Sequence, residues 1–333
     1  RQAECFSRDG ASLPEAPDFI TEAPIYLCWP KSAPPVRVRS DVGPVPELVI
    51  HAHGGRRHFQ FRKDGWRGVI LAENSAEAEF LSQALDPENF VVPPKSGTLR
   101  KARNAVWTIP DPRDPSRKLV VKQPVRMSFH KRLTDRFKPS KALRSWNGTS
   151  ELLRRGIDAA PPVAYFEKIG DRSLMKNMYL CELVETELSV RDVFSAFARG
   201  QQVHEGIAEE EMYEGLSEFL FRMHTRGVHF RDLSGGNILV RRNPDGKLGF
   251  TLIDTGRAHF YLRKTHLSLS IADLTRTCHK LHAAGRERFM NLYLARRGLR
   301  FEARHRLPFR LYDAKCSLKR CLKGKFLRSW FKK

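Results

Sequence analysis

Two acidic side chains and one amide recur in this chain at the spacing that phosphoryl transfer requires. Asp232 is followed five residues later by Asn237, and Asp254 comes after one further hairpin pattern. Transfer of a phosphoryl group from ATP needs a base beside the acceptor hydroxyl and oxygen ligands for magnesium. In a loop of the form His-x-(Arg)-Asp-x4-Asn the Asp supplies the base, while the Asn and a later Asp hold the metal. We therefore predict Asp232 as the catalytic base and Asn237 and Asp254 as Mg2+ ligands.

The segments on either side of this loop predict the elements that position it. Apolar residues recur at helical spacing over 216–223, and Gly227 is placed to end that helix. After Asn237 the residues 238–240 are typical of a short strand. Asn-Pro-Asp-Gly at 243–246 predicts a turn, and 250–253 the returning strand that delivers Asp254.

Two glycines, Gly235 and Gly236, precede Asn237 in the loop. Glycine lets a backbone approach a ligand closely and adopt positive φ, so we expect the pair to serve those ends. The competing interpretation is a surface turn whose Asp residues cap helices, and the adjacent glycines weigh against it. His229 is expected to pack and hydrogen-bond rather than to take part in the chemistry.

A lysine that grips the nucleotide is predicted at the end of an apolar strand, residues 118–122. Lys122 would hold the α- and β-phosphates of ATP, since a rigid strand fixes the cation; the alternative is a solvent-facing strand end. No Gly-x-Gly-x-x-Gly motif is present. Gly97 alone lies between the predicted strands 90–92 and 105–109, and it is the candidate for the loop that covers the phosphates.

The helix predicted over 140–155 has an unusual charge pattern. In protein kinases this helix carries a Glu that pairs with the nucleotide-binding Lys, but here its centre has no acid. Either Glu151 is the partner of Lys122, or this chain lacks that ion pair. The next strands are predicted from 160 and over 178–184, where backbone groups from Glu182 to Val184 would meet adenine.

The bulk composition favours an anionic partner. There are 59 Lys and Arg against 37 Asp and Glu, a net charge of +22, and such a surface attracts nucleic acid, anionic lipid or phosphorylated glycans. No nucleic-acid-binding motif is evident, so no specific nucleic acid is expected. Six scattered cysteines favour a reducing cytosol. His51, His53 and His58 are better explained by a solvated strand than by zinc.

The chain is predicted to be an α+β protein with a bilobal, protein-kinase-like fold. We expect an irregular leader over 1–45 and an N-terminal extension over 46–88, with strands at 47–53 and 58–72 and a helix at 75–84. An antiparallel-sheet N-lobe then covers 89–185. A mainly helical C-lobe covers 186–300, and a basic tail covers 301–333.

Several stretches resemble the lipopolysaccharide core kinases, the bacterial enzymes that phosphorylate heptose or Kdo (3-deoxy-manno-octulosonic acid). They are residues 140–146, 152–157, 161–164 and 223–229, together with Asp273-Leu274. The resemblance covers about 90–295. It implies ATP and Mg2+ as cofactors and the core of a lipid A glycolipid as acceptor. By the same resemblance Asp232 is the base, Asn237 and Asp254 bind magnesium, and Lys122 binds ATP.

The basic tail is expected to meet a membrane. The last twenty residues hold eight Lys and Arg, and Leu318, Leu322, Phe326 and Trp330 recur every four residues. That pattern is typical of an interfacial amphipathic helix, although a solvated basic tail is the alternative. We expect a cytoplasmic protein, peripheral on the anionic inner membrane.

Two other functions are compatible with the motifs. One is an atypical protein kinase or a small-molecule kinase of the aminoglycoside or choline type. The Arg231-Asp232 pair resembles the catalytic loop of protein kinases, and Thr255-Gly256 after Asp254 resembles their Asp-x-Gly motif, but no Ala-Pro-Glu segment follows. The other is a pseudokinase that only binds, which the missing helix acid favours and the intact acidic residues oppose.

Overall fold

The computed structural model of the protein describes residues 19–23, 55–128, 133–186 and 188–330. The contacts divide the chain into two compact units. The first unit comprises the residues up to Glu185 together with Asp254–Arg257, and the second comprises Thr186–Ile253 and the residues from Ala258 onward.

Eight strands of the first unit form one sheet in which every pairing is antiparallel. They are β1 (Phe19–Ala23), β2 (Arg57–Lys63), β3 (Trp66–Ala72), β4 (Arg100–Lys101), β5 (Asn104–Asp111), β6 (Asp114–Pro124), β7 (Pro162–Lys168) and β8 (Asn177–Glu182). Their order across the sheet is β1-β2-β3-β7-β8-β6-β5-β4. The strands predicted for the extension therefore continue the same sheet as those predicted for the N-lobe.

Both faces of this sheet are buried, and β3 shows why. Ile70 and Ala72 belong to one apolar cluster, whereas Val69 and Leu71 belong to another. Since successive side chains of a strand point to opposite faces, β3 supplies both cores. Each core is completed by a helix: α1 (Ser75–Ala84) through Leu81, and α2 (Lys141–Arg154) through the fully buried Trp146.

The helix boundaries follow from local capping. The α1 helix occupies the predicted residues, and Asn74 caps it by accepting from the Glu77 N–H at 3.0 Å. The hydroxyl of Ser140 caps α2 in the same way. Gly156 then leaves the helix with φ of +63°, a conformation that glycine adopts without strain.

Three predictions about the N-terminal part meet different outcomes. Residues 19–23, inside the predicted irregular leader, form β1 along the edge of β2. The strand predicted at 90–92 does not form, because Pro93 and Pro94 follow it and cannot donate to a ladder. The strand predicted at 47–53 lies outside the described residues.

The second unit is mainly helical. Its helices are α3 (Val190–Phe197), α4 (Glu209–Thr225), α5 (Leu267–Thr277), α6 (Ala283–Arg296) and α7 (Leu307–Trp330). Its strands pair as three small antiparallel ladders: β9 (Val203–His204) with β10 (Ile207–Ala208), β11 (Val228–Phe230) with β14 (Ala258–Phe260), and β12 (Ile238–Arg242) with β13 (Leu248–Leu252). The α+β class, with an antiparallel sheet first and helices after, is confirmed.

A cluster of aromatic rings holds α3, α4 and α6 together. Phe194, Tyr213 and Phe289 meet edge to face with centroids 5.8–6.1 Å apart. Edge-to-face pairs add about 0.5–1.5 kcal/mol to the free energy of burial. The α4 helix runs through the predicted residues 216–223, and Gly227 follows it with φ of +73°. Within the described residues, no helix combines the length and the apolar character that crossing a bilayer requires.

Candidate active site

The predicted catalytic loop leaves β11 and enters β12 within the second unit. Its first turn is closed by the Leu233 N–H, which donates to the Phe230 carbonyl at 2.8 Å. Residues 235–237 then form a short 3-10 helix. The Asn237 amide nitrogen donates to the carbonyl of Asp232 at 2.9 Å. That bond leaves the Asn237 amide oxygen as the atom that could ligate a cation.

A buried carboxylate fixes the start of the loop from outside. Asp273, on α5, is fully buried, and its Oδ2 accepts from the Phe230 N–H at 2.9 Å and from His229 Nδ1 at 3.0 Å. His224 Nε2, on α4, lies 3.4 Å from the same oxygen. The other nitrogen of His224 lies 2.7 Å from the Tyr293 hydroxyl. The packing role predicted for His229 is confirmed by these contacts.

The charge state of this network follows from its surroundings. Burial alone would raise the pKa of Asp273, but the hydrogen bonds from the two histidines outweigh it and hold that pKa below its ordinary value. Burial lowers the pKa of His224, which is therefore neutral. With Nε2 directed at a carboxylate, Nε2 carries the proton and Nδ1 accepts from Tyr293. One charged acceptor thus organises two imidazole rings and a backbone amide.

The two loop glycines do not have the predicted backbone conformation, and they leave space for a side chain of another helix. Neither Gly235 nor Gly236 has positive φ. A Cβ on Gly236 would lie 2.4 Å from the guanidinium carbon of Arg191, and one on Gly235 would lie 2.9 Å from the Arg191 backbone nitrogen. The expectation of positive φ was wrong, and the close approach is made by a residue of α3.

Lys122 and Asp254 form an ion pair within the first unit. Ile253 ends the hairpin, and Asp254 itself has φ of +59°, uncommon for a residue with a side chain. Burial alone would raise the pKa of Asp254, but Lys122 outweighs it, aided by Arg100 and Arg257, so the pKa lies below its ordinary value. The carboxylate is ionised and its side chain is 51% exposed, as a ligand for a hard cation must be.

The residues after Asp254 are fixed by α2. The Thr255 hydroxyl donates to the Ser145 carbonyl at 3.1 Å and lies 2.7 Å from the Thr149 hydroxyl. Gly148 allows this contact, since a Cβ there would lie 2.4 Å from the Thr255 carbonyl oxygen. The backbone that carries Asp254 is thereby held against the helix.

Glu151 is not the partner of Lys122, which corrects one of the two interpretations of α2. The Glu151 carboxylate is buried and bound to Arg154 and Arg155 at 2.6 and 2.7 Å. Lys122 instead lines a small cavity with Ser145, a neutral residue of the same helix. Helix geometry explains this: Arg154 and Arg155 follow Glu151 at i+3 and i+4, the positions closest to it on a helix.

The other predicted nucleotide-binding residues are placed as follows. Gly97 is the last residue of a 3-10 helix, residues 95–97, whereas it was predicted to lie in a loop between two strands. The Glu182 carboxylate is bound by Arg56 and Arg117 at 2.7 and 2.6 Å, and its N–H donates to the carbonyl of residue 161. Glu182 therefore has neither its carboxylate nor its N–H to offer adenine. The roles of Gly97 and Val184 stay predictions.

A model of the lipopolysaccharide kinase (Kdo/WaaP) family matches residues 100–293, more than half of the chain. The chain belongs to the lipopolysaccharide kinase (Kdo/WaaP) family. It is a phosphotransferase with a hydroxyl acceptor, its substrate is lipopolysaccharide, and the family implies ATP as the donor. The resemblance drawn from the sequence is confirmed. A comparison with curated proteins finds no match.

Two solved structures are similar to this member of the lipopolysaccharide kinase family. One is WaaP in complex with acyl carrier protein, with 18% identity, a TM-score of 0.47, and coverage of 67% of this chain and 87% of that one. The other is the Rio2 kinase of Chaetomium thermophilum in an ADP/Mg2+-phosphoaspartate complex, with 13% identity, a TM-score of 0.40, and coverage of 82% and 84%.

Three residues that shape the site were not predicted from sequence to do so. Asp273 carried a signal, because an acid amid the apolar residues of a helix needs a partner. His224 had only its place on the apolar face of α4. Arg191 had no signal at all, since its contact with Gly236 spans 45 positions of the chain.

Proposed function

We propose that this lipopolysaccharide kinase transfers the γ-phosphate of ATP to a sugar hydroxyl, of heptose or Kdo, in the lipopolysaccharide core. The observation that carries the proposal is the loop from Asp232 to Asn237, built on β11 and anchored by the buried Asp273. Family membership supports the substrate class.

Asp232 is proposed to accept the proton of the sugar hydroxyl as it attacks phosphorus. Its backbone is constrained on both sides, by the tie between Phe230 and Asp273 and by the Asn237 amide at its own carbonyl. A positioned base contributes about 10²–10⁴ in rate. These two hydrogen bonds fix the backbone that carries the carboxylate.

The nucleotide and its metal are proposed to meet Lys122, Asp254 and Asn237. An ionised carboxylate and an amide oxygen form the hard donor set that magnesium prefers. Bound magnesium would neutralise the charge developing on the phosphates. Ile253 donates to the Asn237 carbonyl at 3.0 Å and Asp254 follows it directly in the chain, which supports joint use of the two ligands. The Lys122 ammonium would then bind the phosphates instead of Asp254.

The test is transfer of labelled phosphate from ATP to purified lipopolysaccharide, with a protein acceptor in a parallel reaction. We expect label in the glycolipid only, and phosphate on a heptose or Kdo residue when the product is analysed by mass spectrometry. Asp232→Asn should reduce turnover at least about a hundredfold. Label in protein instead of glycolipid, or an active Asp232→Asn variant, would refute the assignment.

We further propose that α7 carries the enzyme to an anionic membrane surface. Leu307, Leu311 and Leu318 lie on one side of this helix and are 56–62% exposed. The sequence continues the apolar spacing at Leu322 and Phe326, between basic residues. Each basic residue near an anionic leaflet contributes about 1 kcal/mol, so several together would hold the protein reversibly.

Flotation with liposomes separates this proposal from a solvated tail. The full chain should float with vesicles containing about a third anionic lipid and stay behind with neutral ones. Removing residues 314–333 should abolish flotation. Equal flotation of both proteins at physiological salt would show that the tail is not the anchor.

A further inference from the structure

Arg191 lies directly on the catalytic loop of the second unit. It is the second residue of α3, and its Nη2 lies 3.3 Å from the Ser234 hydroxyl. Its guanidinium covers Gly236 so closely that a Cβ there would lie 2.4 Å from two of its atoms. Backbone and side chain of one arginine thus occupy the space beside two consecutive glycines.

Most of the binding capacity of this guanidinium is unused. Among the described residues, no carboxylate forms an ion pair with Arg191, although many of the surface arginines have one. The side chain is exposed. A guanidinium has five N–H donors in a fixed fork, the geometry that binds a phosphate or carboxylate through two bonds.

The guanidinium is also close to the residues proposed to do the chemistry. Residues 234–236, which it touches, lie between the base Asp232 and the metal ligand Asn237. Consecutive Cα atoms are about 3.8 Å apart, so the guanidinium lies within about 8 Å of the Asn237 Cα. Arg231, on the other side of the base, is exposed too and has no ion-pair partner among the described residues.

We propose that Arg191 binds an oxyanion of the acceptor, a phosphate or carboxylate group near the hydroxyl that is phosphorylated. This inference rests on the proposed function. The acceptor is favoured over the nucleotide because Arg191 contacts the loop that carries the base, whereas Lys122 and Asp254, two of the three groups proposed to meet ATP and its metal, belong to the first unit. Arg191 belongs with Asp232, which must face the acceptor hydroxyl. Gly235 and Gly236 are small so that this cation can lie on the loop.

The first experiment compares Arg191→Gln with Arg199→Gln, a matched change at an exposed arginine just beyond the same helix. Initial rates are measured with a deacylated core oligosaccharide containing heptose and Kdo. Arg191→Gln should raise the KM for this acceptor at least about tenfold and leave the KM for ATP within about twofold, as expected for loss of a charge-assisted bidentate contact. Arg199→Gln should match the wild type.

The second experiment identifies the group that Arg191 binds. The same oligosaccharide is used after its phosphates have been removed, or after its carboxylates have been converted to methyl esters. Removing the recognised group should weaken the wild type to the level of Arg191→Gln and leave the variant unchanged. Gly236→Ala should also raise the acceptor KM, and its effect should not add to that of Arg191→Gln, because both disturb one contact.

The outcomes are distinguishable. An equal acceptor KM for Arg191→Gln and wild type overturns the inference. A raised KM for ATP, or a kcat loss that is the same with every acceptor, also overturns it and assigns Arg191 to the transferred phosphate. If the wild type phosphorylates no core sugar, the proposed function itself fails. Binding of the oligosaccharide to Asp232→Asn, with and without Arg191→Gln, by calorimetry then still tests the contact.

Discussion

Replacing the buried Asp273 by asparagine is expected to destabilise the second unit and to slow catalysis. The change keeps the shape of the side chain and one acceptor oxygen. It removes the charge that now receives the Phe230 N–H at 2.9 Å and His229 Nδ1 at 3.0 Å, with His224 slightly further away. The consequences for folding and for rate can be worked out separately.

The loss in folding free energy is that of several charge-assisted hydrogen bonds. A bond to a charged group contributes about 1.5–3 kcal/mol and a neutral one about 0.5–1.5 kcal/mol. Asp273→Asn should therefore cost about 2–3 kcal/mol. Asp273→Ala leaves the N–H groups buried without an acceptor and should cost about 3–5 kcal/mol, as when one partner of a buried pair is removed.

The loss in rate comes from the position of the loop. Phe230 precedes the base Asp232 by two residues, so releasing its N–H lets the base shift. A displacement of about 1 Å costs about 10² in rate. We expect kcat of Asp273→Asn to fall by about that factor, while the KM for ATP stays within about twofold, because Lys122 and Asp254 are untouched and the Ile253 N–H still holds the backbone of Asn237.

Urea unfolding followed by far-UV circular dichroism at pH 7 measures the first effect, and steady-state kinetics the second. Asp245→Asn is the matched control, since among the residues that the structure describes this exposed carboxylate accepts only from the Lys247 N–H. A loss below about 0.5 kcal/mol for Asp273→Asn, the range of ordinary surface substitutions, would refute the reasoning on stability. An unchanged kcat would refute the anchoring of the loop.

Three further predictions follow from other contacts. His58 is buried and its pKa is lowered to about 4, so between pH 6.5 and pH 4 its imidazole is protonated in the unfolded chain but not in the folded one. The free energy of unfolding should therefore fall by up to about 3 kcal/mol as pH drops from about 6.5 to 4. His58→Phe should flatten this part of a series of urea denaturations at different pH. Lys122→Met should raise the KM for ATP at least about tenfold and return the pKa of Asp254 toward its ordinary value, both measurable by kinetics and by carboxyl NMR. Gly148→Ala should lower stability by about 1–3 kcal/mol in thermal unfolding and also reduce kcat, because a Cβ there meets the Thr255 carbonyl at 2.4 Å. A Gly148→Ala enzyme as stable as wild type would show that α2 can shift away from Thr255 to accommodate the added Cβ.

Local signals in the sequence were enough for the elements around the loop. Gly227 after α4 and the turn at 243–246 each act within a few residues, so their effect is visible in a short window. The same holds for the loop from Asp232 to Asn237, whose spacing is set by the chemistry. Whether Asn237 and Asp254 hold magnesium stays a prediction.

What the sequence left open depends on contacts between distant segments. Arg154 and Arg155 offer Glu151 local partners at i+3 and i+4, but the spacing alone does not exclude Lys122, and only the packing of α2 decides between them. The joining of β1–β3 to the larger sheet is equally invisible, since strand order is a property of the folded chain. The glycine pair at 235–236 was singled out correctly, but the group that needs the space, Arg191, comes from another helix.

The absence of a helix acid beside Lys122 has a consequence for the proposed nucleotide site. Within the described part of the chain, Lys122 has one anionic partner, Asp254, and the pair is partly exposed, so it is weakened by solvent screening. When Asp254 binds magnesium, as proposed, Ser145 offers Lys122 only a neutral hydroxyl. The ammonium must then be neutralised by the phosphates of ATP. Binding of the metal and of the nucleotide should therefore be strongly coupled, each weak without the other, which calorimetry with Mg2+ alone, ATP alone and both together would measure.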